Sequence, residues 1–128
     1  MNKDIETRDK LIFGGYEPGK YGGGIRRFSG LDAGKLGLLF QQGFIDPGDR
    51  QNAAPTAAEM FAFLCRHPGY TAHGYAVEAK RPDHRVSLEG VAKDHGYDSD
   101  EELKDFVDLF RSADGFEAGR SSMFCWFD

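Results

Sequence analysis

The 128-residue sequence predicts an α+β fold in which three helices pack on a small, mostly antiparallel sheet behind a Gly-rich N-terminal arm. Three observations carry that prediction. A Ser or Thr precedes an acidic residue by three positions at Ser29/Asp32, Thr56/Glu59 and Ser99/Glu102, the reciprocal capping pattern of a helix start. Residues 70–92 read as two strands around a turn. Residues 122–127 form a short aromatic run suited to a covered strand.

Taken in order, Met1 to Lys10 alternates charges around one apolar residue, Ile5, so burial does not offset the entropy of ordering it. Leu11-Ile12-Phe13 fits a short edge strand. Seven glycines then fall between Gly14 and Gly30 and dilute regular structure. Residues 1–28 are therefore expected as a flexible or weakly ordered arm, and residues 29–128 as a single α+β domain.

A first helix is predicted from Ser29, with Leu31, Leu38 and Leu39 near one face and Gly43 as its stop. Gly34 and Gly37 weaken it by about 1 kcal/mol each relative to Ala, which leaves tertiary packing to hold it. Phe44 anchors a connection whose polar part, Asp49 to Pro55, is expected as exposed loop. Thr56 opens a second helix containing Met60, Phe61, Phe63 and Leu64, and Pro68-Gly69 ends it.

Tyr70 to Ala79 and Arg85 to Ala92 are predicted to pair as a hairpin across Lys80 to His84. Ser99 opens the third helix, where Leu103, Phe106, Val107, Phe110 and Ala113 make one apolar stripe. The third helix is expected to join the second hairpin strand to the last strand as a parallel right-handed crossover, which sets the last strand beside the first in the order last-first-second.

The formal charge is −5, and the excess lies in residues 94–128, with ten acidic side chains against three basic ones. Such a surface repels nucleic-acid phosphates and attracts basic partners. The final helix concentrates it in Asp98, Asp100, Glu101, Glu102, Asp105 and Asp108. Of these, Asp98, Asp100, Glu101, Asp105 and Asp108 are the candidate partner-binding residues. Cys65 and Cys125 sit among apolar neighbours and no signal-like N-terminal stretch is seen, so a reduced cytoplasmic protein is expected. No run reaches the roughly 18 apolar residues that span a bilayer, and no membrane partner is expected.

Motifs for chemistry are sparse. Gly19-Lys20 fails the phosphate-loop spacing, because Gly14 is five positions before Gly19 and Tyr21 follows the lysine. Lys20, Arg26 and Arg27, interleaved with Tyr21 and Phe28, have the ingredients of a single-strand nucleic-acid contact, with phosphate neutralisation and base stacking. The four histidines show no metal-ligand spacing, so no metal and no cofactor is expected. His73 with Ser87 or Glu89 across the hairpin is the one catalytic arrangement open to it, as in a small hydrolase or transferase.

At Gly43-Phe44-Ile45-Asp46-Pro47, Gln51-Asn52, Pro55-Thr56, Thr71 to Val77 and Phe124 to Asp128, the chain resembles small acidic proteins of anaerobic gut bacteria, often associated with mobile elements. The resemblance covers about residues 38–128 and implies a context without a catalytic residue. The first functional expectation is a non-enzymatic protein-interaction module with an acidic C-terminal face, serving mobile-element or host-defence biology and binding a protein with a basic surface. The alternatives are a nucleic-acid-contacting accessory protein using the arm and a small hydrolase centred on His73.

Overall fold

The computed structural model describes residues 2–128. Its α+β architecture contains four helices and a five-stranded sheet in which every pairing is antiparallel. The elements are α1 (Ile5–Phe13), β1 (Ile25–Leu31), α2 (Ala33–Gln41), α3 (Ala57–Arg66), β2 (Thr71–Val77), β3 (Val86–Lys93), α4 (Asp100–Phe110), β4 (Gly115–Ala118) and β5 (Met123–Trp126). The sheet order is β1-β2-β3-β5-β4.

The expected arm is corrected first. Residues 5–13 form α1, where Asp4 caps the Thr7 N–H and Gly14 closes the last turn at φ 84°. Leu11 to Phe13 end this helix rather than make a strand. The proposed boundary after residue 28 falls inside β1, whose Phe28 is buried and pairs with Gly74. Ordering here comes from a buried polar contact invisible to hydropathy. Arg8 and Asp9 are both fully buried, 2.8 Å apart, and Arg8 Nη1 donates to the Val77 carbonyl at 2.8 Å.

Ser29 lies in β1, and the α2 cap is Asp32, which accepts the Lys35 N–H at 2.8 Å. Thr56 and Glu59 do make the full capping box of α3. Ser99 caps α4 through the Glu102 N–H, but the Glu102 carboxylate turns inward instead of completing the box.

The hairpin pairs as predicted, with Ala72 opposite Val91 and Tyr75 opposite Ser87, though β2 ends at Val77. The parallel crossover is not formed. After α4 the chain makes β4, turns, and returns as β5, which therefore runs antiparallel to β3 and sits beside it rather than beside β2. The register slips between His73 and Gly74, leaving Glu89 as the extra residue of a β-bulge. Gly90 is required there, since a Cβ would lie 2.0 Å from the Cys125 carbonyl oxygen.

The core lies between the helices and one sheet face. Phe63 meets Tyr70 at 4.8 Å and Phe110 at 5.1 Å between ring centroids, and Phe106, Phe127, Met123 and Cys125 close around them. The opposite face carries Arg27, Thr71, His73, Tyr75, Ser87, Phe124 and Trp126, as the pairing register requires.

Candidate functional site

The residues named for nucleic-acid contact are dispersed. Tyr21 and Phe28 are both buried in the core and offer no face to a base. Tyr21 O–H donates to Asp9, Arg8 Nη2 donates to the Tyr21 oxygen at 2.7 Å, and burial pushes the phenol pKa up. Arg26 stacks 3.8 Å over the Phe13 ring, and Arg27 donates to Glu89 at 2.6 Å. Lys20 alone points freely to solvent. The constellation is not brought together.

The acidic residues are mostly neutralised by the chain itself. Asp105 takes a two-pronged contact from Arg66 at 3.0 and 3.2 Å and another from His67 at 2.7 Å. Burial raises its pKa, yet these partners outweigh it and hold the carboxyl below its ordinary value. Asp108 is paired with Lys104 and Arg111, and Asp98 with Lys93. Glu102 is buried, accepting from Lys93 and from the Tyr70 hydroxyl at 2.8 Å. Asp100 and Glu101 remain exposed on the first turn of α4.

His73 is held in the sheet. Its Nε2 donates to the Cys125 carbonyl at 2.9 Å, and its ring stacks on Phe124 at 5.2 Å with an interplanar angle of 6°. Burial lowers its pKa. Ser87 stands opposite Tyr75 rather than His73, and Glu89 is engaged by Arg27 and by Trp126 Nε1 at 3.2 Å. The His73, Ser87 and Glu89 arrangement does not assemble as a nucleophile and base.

The structure instead gathers polar groups in a cleft of about 310 Å³ between the loop over residues 42–56 and the edge of β3. Arg50, Gln51 and Asn52 line one wall, and Tyr75, Arg85, Val86, Ser87 and Leu88 the other. The Gln51 Oε1 accepts from Ser87 Oγ at 2.9 Å and from the Tyr75 hydroxyl at 3.3 Å. Arg85 Nη2 donates to the Tyr75 oxygen at 3.0 Å and Nη1 pairs with Asp83 at 3.1 Å. Asn52, in the left-handed region at φ 49°, donates to the Asp128 carbonyl and ties the loop to the end of β5. Arg50 is exposed and pairs with no carboxylate among the described residues.

Along this wall Val86 and Leu88 are buried. Strand β5 pairs with Ala92 and Lys93, and the Phe127 N–H reaches the Glu89 carbonyl at 2.7 Å, but no strand flanks Val86 to Leu88. The Val77 N–H bonds the Arg85 carbonyl and continues the β2–β3 ladder beyond Ala76 and Val86.

Sequence reasoning passed over this cleft because residues 49–55 carry no periodicity. One signal was present: the connection between α2 and α3 runs over residues 42–56, longer than about 12 residues, and such loops inside compact domains are often functional. Among the described residues no group of three or more His, Cys, Asp or Glu side chains is placed to hold a metal ion, and no helix is long and apolar enough to cross a membrane. No family model matches the chain, and neither a curated protein nor a solved structure matches it.

Proposed function

We propose that the protein is a non-enzymatic interaction module whose recognition site is the polar cleft, and that its ligand presents an anionic group. The observation that supports this reading is the convergence of Arg50 and Arg85 with the Tyr75, Ser87 and Gln51 side chains in one concavity. Arg85 is already paired with Asp83, so the uncommitted guanidinium is that of Arg50, and the cleft's own carboxylate, Asp49, accepts the Asp46 N–H at 3.3 Å through Oδ2. At about 310 Å³ the cleft lies at the small end of the volumes that hold ligands. Charge-assisted hydrogen bonds from Arg would supply specificity for carboxylate geometry. Ser87 Oγ gives its proton to an amide oxygen rather than to a base, which favours binding over acyl transfer.

The test is titration of the protein into fluorescein-labelled hexapeptides with Asp or Glu fixed at one position, beside matched neutral and Lys-fixed pools. Acidic pools are expected to bind best, more weakly at high salt, and Arg50→Ala is expected to lower affinity about tenfold, the equivalent of about 1.4 kcal/mol. Arg50 is exposed, so this variant keeps its fold. Binding of neutral and acidic pools alike, or indifference to Arg50→Ala, would overturn the reading.

A second reading keeps the acidic face of α4 as a dock for a basic protein, supported by Asp100 and Glu101 on the exposed first turn beside Asp98, whose side chain is 82% exposed. In the same titration it requires the Lys-fixed pool to bind and Asp100→Asn/Glu101→Gln to weaken it.

A further inference from the structure

The charges that line the cleft narrow its ligand, resting on the anionic-ligand reading above. We infer that the cleft takes a free α-amino acid, a zwitterion whose carboxylate is held by Arg50 and Gln51 and whose ammonium is held by Asp49 and Asn52.

Uncommitted charge is the first consideration. Arg85 is spent on Asp83, while Arg50 pairs with no carboxylate among the described residues. Asp49 makes no ion pair among them either, and its carboxylate accepts only the Asp46 N–H, through Oδ2. One cation and one anion on adjacent residues therefore line the same concavity without neutralising each other. A purely anionic ligand would satisfy Arg50 and meet repulsion from Asp49. An α-amino acid answers both, with its two charged groups attached to a single carbon.

The neighbouring amides extend the pattern. Arg85 Nη2 can only donate, so the Tyr75 oxygen accepts from it and turns its single hydrogen to Gln51. Ser87 Oγ donates to the same Gln51 atom, which is therefore the carbonyl oxygen, and the amide nitrogen is left over. That Nε2 has no partner among the described residues, yet no buried side-chain nitrogen or oxygen there is left unsatisfied, so it is open to a ligand. Asn52 Nδ2 is taken by the Asp128 carbonyl, which leaves Oδ1 as an acceptor. Residues 49–52 thus offer an acceptor, two donors and an acceptor in order.

The segment is set before any ligand arrives. The Asp49 N–H bonds the Asp46 carbonyl at 3.0 Å, the Asp49 carbonyl accepts the Ala57 N–H at 2.8 Å, and the Gln51 carbonyl accepts the Ala54 N–H at 2.9 Å. A volume of about 310 Å³ suits one amino acid better than a longer chain.

The experiment titrates each proteinogenic L-amino acid into the full ¹⁵N-labelled chain and follows the amide resonances of residues 49–52. The best binder is then compared with its Nα-acetyl and α-carboxamide forms, which remove the cation and the anion separately. Each modification is expected to lower affinity about tenfold, the size of a charge-assisted bond. Asp49→Asn should erase the difference between free and acetylated forms, and Arg50→Ala the difference between free and amidated forms. Both residues are exposed, so both variants keep the fold. An acetylated form that binds as tightly as the free one, still weakened by Arg50→Ala, would overturn the zwitterion and leave the anionic-ligand reading intact. A carboxamide that binds as tightly as the free acid would remove both. If no amino acid moves these resonances while the acidic hexapeptides bind, the zwitterion alone is overturned.

Discussion

Replacing Arg8 with Ala should destabilise the protein by about 3–5 kcal/mol, although its neighbourhood in sequence is a charged N-terminal stretch. Arg8 is fully buried and donates to the Val77 carbonyl, to the Tyr21 oxygen and to Asp9, and its Nη1 lies 3.3 Å from His84 Nδ1. A guanidinium can only donate, so His84 Nδ1 accepts and Nε2 carries the hydrogen given to the Asn2 carbonyl at 3.2 Å. Truncation at Arg8 removes all of these bonds and leaves the fully buried Asp9 carboxylate with the Tyr21 hydroxyl as its remaining side-chain donor. With a urea m-value of about 2 kcal/mol/M, the midpoint should fall by roughly 2 M. The double variant Arg8→Leu/Asp9→Leu should recover much of the loss, because no charge is then stranded in the interior. A cost under about 1 kcal/mol for Arg8→Ala, or a double variant as costly as both single variants added, would refute the buried-pair argument. The first result is what a frayed arm would give.

Gly90→Ala should lower Tm by roughly 10 °C or prevent folding, since its Cβ would lie 2.0 Å from a backbone carbonyl and overpacking of this kind costs about 3 kcal/mol; a variant melting within about 2 °C of wild type would show that the bulge relaxes. The Lys93–Glu102–Tyr70 contact should make stability acid-sensitive. Burial raises the Glu102 pKa, but bonds from Lys93 and Tyr70 outweigh it and hold the folded value below the ordinary glutamate pKa of about 4.3. A depressed folded pKa gives stability that is full above the unfolded value and lost as pH falls through the folded one. Wild type and Glu102→Gln should thus differ by about 2 kcal/mol at pH 7 and converge in acid, and a difference independent of pH would contradict this. Native protein should react with one equivalent of a thiol reagent, at exposed Cys65, and unfolded protein with two. Burial pushes the Cys125 thiol up to about 12, so rapid native labelling of both would mean that β5 opens readily.

What could be read from the sequence was local and periodic. Thr56 with Glu59 makes its capping box, and the apolar residues of α4 face inward, because capping and amphipathic spacing act over three or four residues. The hairpin was legible from the alternation around Val86 and Leu88. Helix α1 was not, since its buried face holds Arg8 and Asp9 in place of an apolar stripe, and their partners Val77 and Tyr21 are supplied by other segments. The same limit hid the cleft: Arg50 and Arg85 stand 35 positions apart, and only the fold of loop 42–56 against β3 brings them to one wall each. The placement of β5 escaped for a different reason. The short segment 115–118 has one large apolar residue, Phe116, too little for a strand signal, yet as β4 it reverses the chain and converts a parallel crossover into an antiparallel return.

The same separation between sequence and surface changes how the charge of −5 is to be used. Ten acidic side chains in the last third suggest an acidic face, but Asp98, Asp105, Asp108 and Glu102 spend their charge on Lys93, Arg66, Lys104 and Arg111 within the same molecule. An ion pair already made is a weak attractor, because a partner's cation must displace the internal one before gaining anything. At the cleft Arg85 is likewise committed to Asp83, and Arg50 is the cation left free of any carboxylate among the described residues. Net charge therefore sets the long-range field, which disfavours approach of an anionic ligand, while the cleft sets the local one, which favours it. Salt separates the two, since screening over about 10 Å at 0.1 M weakens the distant repulsion before it weakens contacts inside a concavity. For an acidic peptide the association rate should therefore fall less steeply with salt than the dissociation rate rises. An association rate that collapses with salt would instead mean steering by a basic patch, which the surface around the cleft does not have to spare.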